Sequence, residues 1–83
     1  WNYRVIRRYY PSSGEYSFAI HESYYEEGTA LDSNPHSITV LPSEPHGETL
    51  NELRLDVERF ARALTMPVLD YETREPVQEK TDG

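Results

Sequence analysis

Apolar and polar positions alternate most cleanly between residues 15 and 24, where Tyr16, Phe18 and Ile20 interleave with Ser17, Ala19 and His21. A period of two marks a strand with one buried face. This segment is therefore expected to be a strand that turns Tyr16, Phe18 and Ile20 to the core. The opening stretch WNYRVIRRYY is rich in aromatic and β-branched residues and holds no Gly or Pro, so it reads as a strand as well. Tyr3, Val5, Arg7 and Tyr9 fall on one of its faces, and Arg4, Ile6, Arg8 and Tyr10 on the other; neither face is cleanly apolar. Pro11-Ser12-Ser13-Gly14 collects turn formers and joins the two strands as a hairpin. That pairing predicts Tyr9 and Tyr10 near Tyr16 at the turn, and Trp1 and Tyr3 near Tyr24 and Tyr25 at the far end.

The pattern weakens between residues 29 and 47. Asp32-Ser33-Asn34-Pro35 is a breaker cluster, and Ser37-Ile38-Thr39-Val40-Leu41 is expected to be a short third strand. After a proline-containing loop the period changes. Leu50, Leu53, Val57, Phe60, Ala61 and Leu64 recur at spacings of three or four, which predicts an amphipathic helix with these residues as its apolar stripe. Asp56 and its charged neighbours Glu52, Glu58, Arg59 and Arg62 lie largely outside that stripe. Thr49 followed three residues later by Glu52 fits a capping box, and Pro67 ends the helix. Met66 to Tyr71 then reads as an extended edge segment, where proline is tolerated. A helix with one apolar stripe needs an apolar surface to lie on, and the inner face of an antiparallel sheet supplies it. The expected fold is a two-layer α+β domain, an antiparallel three- to four-stranded sheet on one main helix in the order β-β-β-α-β.

Composition sets the domain boundary. The 83 residues suit one small domain, and residues 1–71 are expected to form it. From Glu72 the chain reads ETREPVQEKTDG, too polar to offset its own ordering entropy. Residues 72–83 are accordingly expected to be a disordered acidic tail. The chain holds no cysteine, which excludes disulfides and thiolate metal sites. Its longest apolar run is Phe18-Ala19-Ile20, far short of a membrane span. No basic start with an apolar stretch behind it is present, so no secretory leader is expected; the first residue is Trp1, as a processed or shortened chain would have it. A cytoplasmic location follows as the expectation.

Charge separates along the chain. Arg4, Arg7 and Arg8 fall in a first strand without acids, whereas residues 15–47 carry Glu15, Glu22, Glu26, Glu27, Asp32 and Glu44 and no Arg or Lys. The net charge of −7 repels phosphate backbones and favours a basic protein partner. Solubility alone also accounts for such a charge. Arg4, Arg8 and Tyr10 offer the alternative, stacking and charge for single-stranded nucleic acid. Against it stands internal pairing of these arginines with Glu15, Glu22 or Glu58. The three histidines, His21, His36 and His46, show no ligand spacing, so no metal and no cofactor are expected. The serines lack a nucleophile setting, and no Gly-rich phosphate loop is present. A non-enzymatic role is the expectation.

The order strand, GEYSFAIHE-like strand, third strand and GETLNELRLDVERFARAL resembles the HicB-like antitoxin domain over roughly residues 3–64. The positions carrying it are Gly14, Tyr16, Phe18 and Gly47-Glu48-Thr49-Leu50-Asn51-Glu52. The resemblance implies a small sheet-and-helix unit that binds and blocks a small basic ribonuclease toxin. The chain departs from that pattern in lacking the proline–aspartate–glycine loop after the second strand, in a longer segment at 24–47, and in having no C-terminal ribbon–helix–helix or helix-turn-helix. A role in regulating its own transcription is therefore not implied. The opening Trp-Asn-Tyr-Arg also resembles a group of small uncharacterised bacterial proteins. Together these readings give a non-catalytic interaction or regulatory module, antitoxin-like in type, monomeric or homodimeric. Its partner surface is expected at Glu22, Tyr24, Tyr25, Glu26 and Glu27.

Overall fold

The computed structural model describes residues 1–77. It contains β1 (Asn2–Tyr10), β2 (Glu15–Tyr24), β3 (Ser37–Ile38), α1 (Leu50–Ala63) and β4 (Leu69–Asp70). The α+β class and the order of elements agree with the hydropathy pattern. β1 and β2 form the expected hairpin, with Tyr10 opposite Glu15 and Asn2 opposite Ser23. Its turn closes when the N–H groups of Ser13 and Gly14 donate to Tyr10 O, with Gly14 at φ +71, a conformation that glycine adopts without strain. The turn end of the hairpin is as expected, whereas at the far end Trp1 packs on Tyr3 and Tyr25 reaches Asn2. Tyr9 and Tyr16 lie 5.0 Å apart between ring centroids, and the Tyr25 hydroxyl donates to Asn2 Oδ1 at 2.7 Å.

The sheet order is β3-β2-β1-β4, and it is mixed rather than antiparallel throughout. β4 runs parallel to β1, pairing Leu69 with Ile6 and Asp70 with Arg7. The reason is the intervening helix, which returns the chain to the opposite edge of the sheet pointing in the same direction as β1. β3 is shorter than the expected 37–41, although Thr39 and Ser43 still donate to Glu22 O and Ile20 O along the β2 edge. β4 is likewise shorter than 66–71. Residues 72–77, part of the segment expected as a tail, turn back on it: Asp70 N–H donates to Glu75 O and Val77 N–H to Val68 O. The remaining tail residues, 78–83, lie outside the described residues.

The helix covers less of the sheet than the alternation in β2 predicts. Tyr3, Val5 and Ala63 form the buried helix-side core, with Ile20, Phe60 and Val68 packed against it. Tyr16 and Phe18 share the face of Ile20 but remain 54% and 58% exposed. Length explains the difference. Fourteen helical residues span about 21 Å, whereas a ten-residue strand spans about 33 Å, and α1 lies over the end where Tyr3 meets Phe60.

The helix is also rotated from its expected stripe. Asp56 and Ala63 are buried and Leu53 and Phe60 half-buried, while Leu50, Val57 and Leu64 are exposed along one side. Asp56 is drawn inward by partners: the Tyr3 hydroxyl donates to Oδ1 and the His46 N–H to Oδ2, both at 2.9 Å. The expected Thr49 cap is present, its hydroxyl accepting the Glu52 N–H at 3.1 Å.

Candidate functional site

β1 buries both of its faces between residues 3 and 6. On the side away from the helix lie Arg4, Ile6, His21, Ser23 and Leu69, all buried. Arg4 organises this side. Its Nη1 donates to the Tyr25 hydroxyl, Leu31 O and Ser33 O at 3.0, 3.3 and 2.9 Å, and its Nη2 donates to Pro67 O at 3.0 Å. One guanidinium thus ties the 25–33 loop and the post-helix turn to the sheet. Arg4 has no exposed surface, so it leaves the proposed nucleic-acid trio. The arginines do not pair with Glu15, Glu22 or Glu58 as the charge pattern suggests. Arg7 lies 3.6 Å from Asp70 and 4.4 Å from the Tyr16 ring centroid. Arg8 lies 5.1 Å from the ring centroid of Tyr10 and 4.1 Å from that of Tyr71.

The acidic end of the hairpin is arranged differently. The Tyr24 hydroxyl donates to Glu22 Oε1 at 3.1 Å, and this bond, more than burial, raises the Tyr24 pKa above its ordinary value. Glu26 and Glu27 are exposed on the following turn, and His36 approaches Glu26 at 3.8 Å. Tyr25 turns inward to Asn2 and Arg4, so of the five expected partner residues it is the one committed to the fold. Tyr24, Glu26 and Glu27 are exposed, and Glu22 is half-buried beside them.

The histidines are separated. His21 is buried, and its Nδ1–H donates to Thr39 O at 2.8 Å. Among the described residues no group of three or more His, Asp or Glu side chains is placed to hold a metal. An open groove of about 390 Å³ runs beside Trp1, Leu31, Arg59, Arg62 and Met66. No helix among the described residues is long and apolar enough to cross a membrane.

Hydropathy reading misses the other exposed feature, the aromatic half of the hairpin. Tyr9, Tyr16 and Phe18 stand on the helix side beyond the reach of α1, and Tyr10 on the opposite side. The available signal was the mismatch between a ten-residue strand and a helix with few large residues on its buried side. No family model, curated protein or solved structure matches the chain.

Proposed function

We propose that the protein is a non-catalytic interaction module that recognises a basic protein partner through the acidic end of its hairpin, at Glu22, Tyr24, Glu26 and Glu27. The observation that carries this reading is the fate of the first-strand arginines. Arg4 is buried, Arg7 is held by Asp70 and Tyr16, and Arg8 lies against two tyrosine rings. Glu26, Glu27, Asp32, Glu44, Glu48 and Glu52 are exposed. No Arg or Lys lies between residues 15 and 47, so the acidic end of the hairpin is locally negative. Acidic side chains set beside an exposed tyrosine steer a basic partner and then give it a contact surface. The resemblance to HicB-like antitoxins leads to the same partner class, a small basic ribonuclease. The nucleic-acid alternative is left with Arg8 and Tyr10, too few unopposed contacts for a phosphate backbone.

Titration with a short Arg/Lys-rich peptide, followed by NMR, tests the reading. The expected shifts map to Glu22, Tyr24, Glu26 and Glu27 and weaken as salt rises. Glu26→Lys with Glu27→Lys is expected to lower the affinity about tenfold, near 1.4 kcal/mol. Salt-independent shifts, or shifts centred elsewhere, overturn it. A pull-down from native lysate with the same variant extends the test to the natural partner.

A further inference from the structure

The β2 edge carries a second surface, distinct from the acidic end. The carbonyls of Tyr24, Glu22 and Ile20 accept the N–H groups of His36, Thr39 and Ser43 at 2.7, 3.0 and 2.8 Å. In an antiparallel ladder the outward-facing groups recur at every second residue. The N–H and C=O of Phe18 and Tyr16 therefore also point away from β1. Cover stops at Ser43, and among the described residues no backbone group pairs with Phe18 or Tyr16 on that side. On the other edge of the hairpin, β4 pairs with Ile6 and Arg7, and Tyr71 N–H reaches Arg7 O.

Exposed edges are normally blunted by lysine, proline, a bulge or an inward charge. Residues 15–19, Glu-Tyr-Ser-Phe-Ala, have none of these on the helix-side face, where Tyr16 and Phe18 stand exposed. We propose that this edge pairs with the same edge of a second copy of the chain, antiparallel about Ser17, with Tyr16 of each copy opposite Phe18 of the other.

Three features favour a second copy as the occupant. The register is self-complementary, because Tyr16 and Phe18 each present an outward N–H and C=O and the two-fold axis exchanges them. Side chains agree with it: Tyr16, already beside Tyr9, meets Phe18 of the other copy on one shared face. Charge permits it as well. Within 15–19 the single charge is Glu15, which this register sets opposite Ala19. Tyr24 lies seven residues from Ser17, so at ~3.3 Å per residue the two acidic ends stand roughly 45 Å apart. That separation is several screening lengths at physiological salt. An edge of this length is short beside the ~1,600 Å² of a standard-size interface, so the dimer is expected to be weak and reversible.

Sedimentation velocity on the full chain over a concentration series tests the pairing. The expected result is a concentration-dependent dimer. Phe18→Pro removes an outward N–H and no bond to β1, so it is expected to weaken the dimer at least tenfold while circular dichroism stays unchanged. Phe18→Lys, which keeps the backbone donor, serves where the proline variant does not fold and is also expected to weaken the dimer. Isotope-filtered NMR on a mixed-label sample of the unmodified chain should show contacts between Tyr16 of one copy and Phe18 of the other. A monomer at every concentration, or a dimer untouched by both substitutions, overturns the proposal. The acidic-end reading is independent: a monomer that still binds the basic peptide retains it, and a dimer that ignores the peptide loses it.

Discussion

Tyr3 and Asp56 link the first strand to the helix through one buried hydrogen bond of 2.9 Å. Burial first, and then the hydrogen bond to Asp56, push the Tyr3 hydroxyl from its ordinary 10 up to about 12. The folded state therefore holds this proton more tightly than the unfolded chain does. Its contribution to stability is fully present below pH about 10, and it is lost as the pH rises toward about 12. Tyr3→Phe should lower stability at neutral pH by about 1–3 kcal/mol, because Asp56 loses a donor in a buried site. The same variant should show a shallower fall between pH 10 and about 12. Urea midpoints measured across that range check both effects; parallel curves for the two proteins contradict the assignment. Asp56 itself was not legible as a core residue. A carboxylate counts as polar in any periodicity, and only its two donors, one of them in the loop before the helix, explain why it faces inward.

At the scale of elements, the helix start depends on how closely the preceding loop approaches it. A Cβ added to Gly47 would stand 2.7 Å from the Glu52 carbonyl carbon and 2.8 Å from Glu52 Cβ, and would run into the Leu53 backbone nitrogen. Backbone cannot yield as a flexible side chain does, so Gly47→Ala should cost about 1–3 kcal/mol and should separate the 42–47 loop from α1. Thermal unfolding measures the cost, and loss of amide protection at His46, whose N–H reaches Asp56, reports the separation. A neutral substitution would mean that the loop has room to move. The sequence marked this helix well: the spacing from Leu50, the Thr49 cap and the Pro67 stop all match a helix over 50–63. The face it buries was less legible, because Leu50, Val57 and Leu64 satisfy the period as well as Leu53 and Phe60 do. Only the length and position of the sheet beneath decide which of them is covered. β2 presents the same limit, since its alternation identifies a face correctly and cannot say how far along that face the helix extends.

At the scale of the whole molecule, the apolar core is small and divided. Tyr3, Val5 and Ala63 lie on the helix side of the sheet, and Ile6 and Leu69 on the other. Arg4 compensates by fastening segments that bury little apolar surface of their own. It is fully buried, and its donors reach Leu31, Ser33 and Pro67 carbonyls from parts of the chain about 27 to 63 residues away. Alternation places Arg4 on a sheet face and predicts a surface cation; it is buried because the 25–33 loop, which has no periodicity to read, covers that face. Removing it leaves three partly covered carbonyls without this donor. Arg4→Met keeps most of the volume and none of the bonds, so it should cost about 1–3 kcal/mol, against a total of about 5–15 kcal/mol for a typical domain. Arg4→Lys should fall between the two, since an ammonium keeps the charge and lacks the planar fork that serves several acceptors at once. Urea unfolding gives these costs. Hydrogen exchange separates a local effect from a global one: loosening confined to residues 25–33 and 65–68 means that Arg4 fastens a flap, and uniform loss of protection means that it holds the two halves of the core together. A cost below about 1 kcal/mol for Arg4→Met would show instead that the loop stays on the sheet by its own contacts, with Pro35 buried and Asn2 bonded to Leu31 sufficient to hold it.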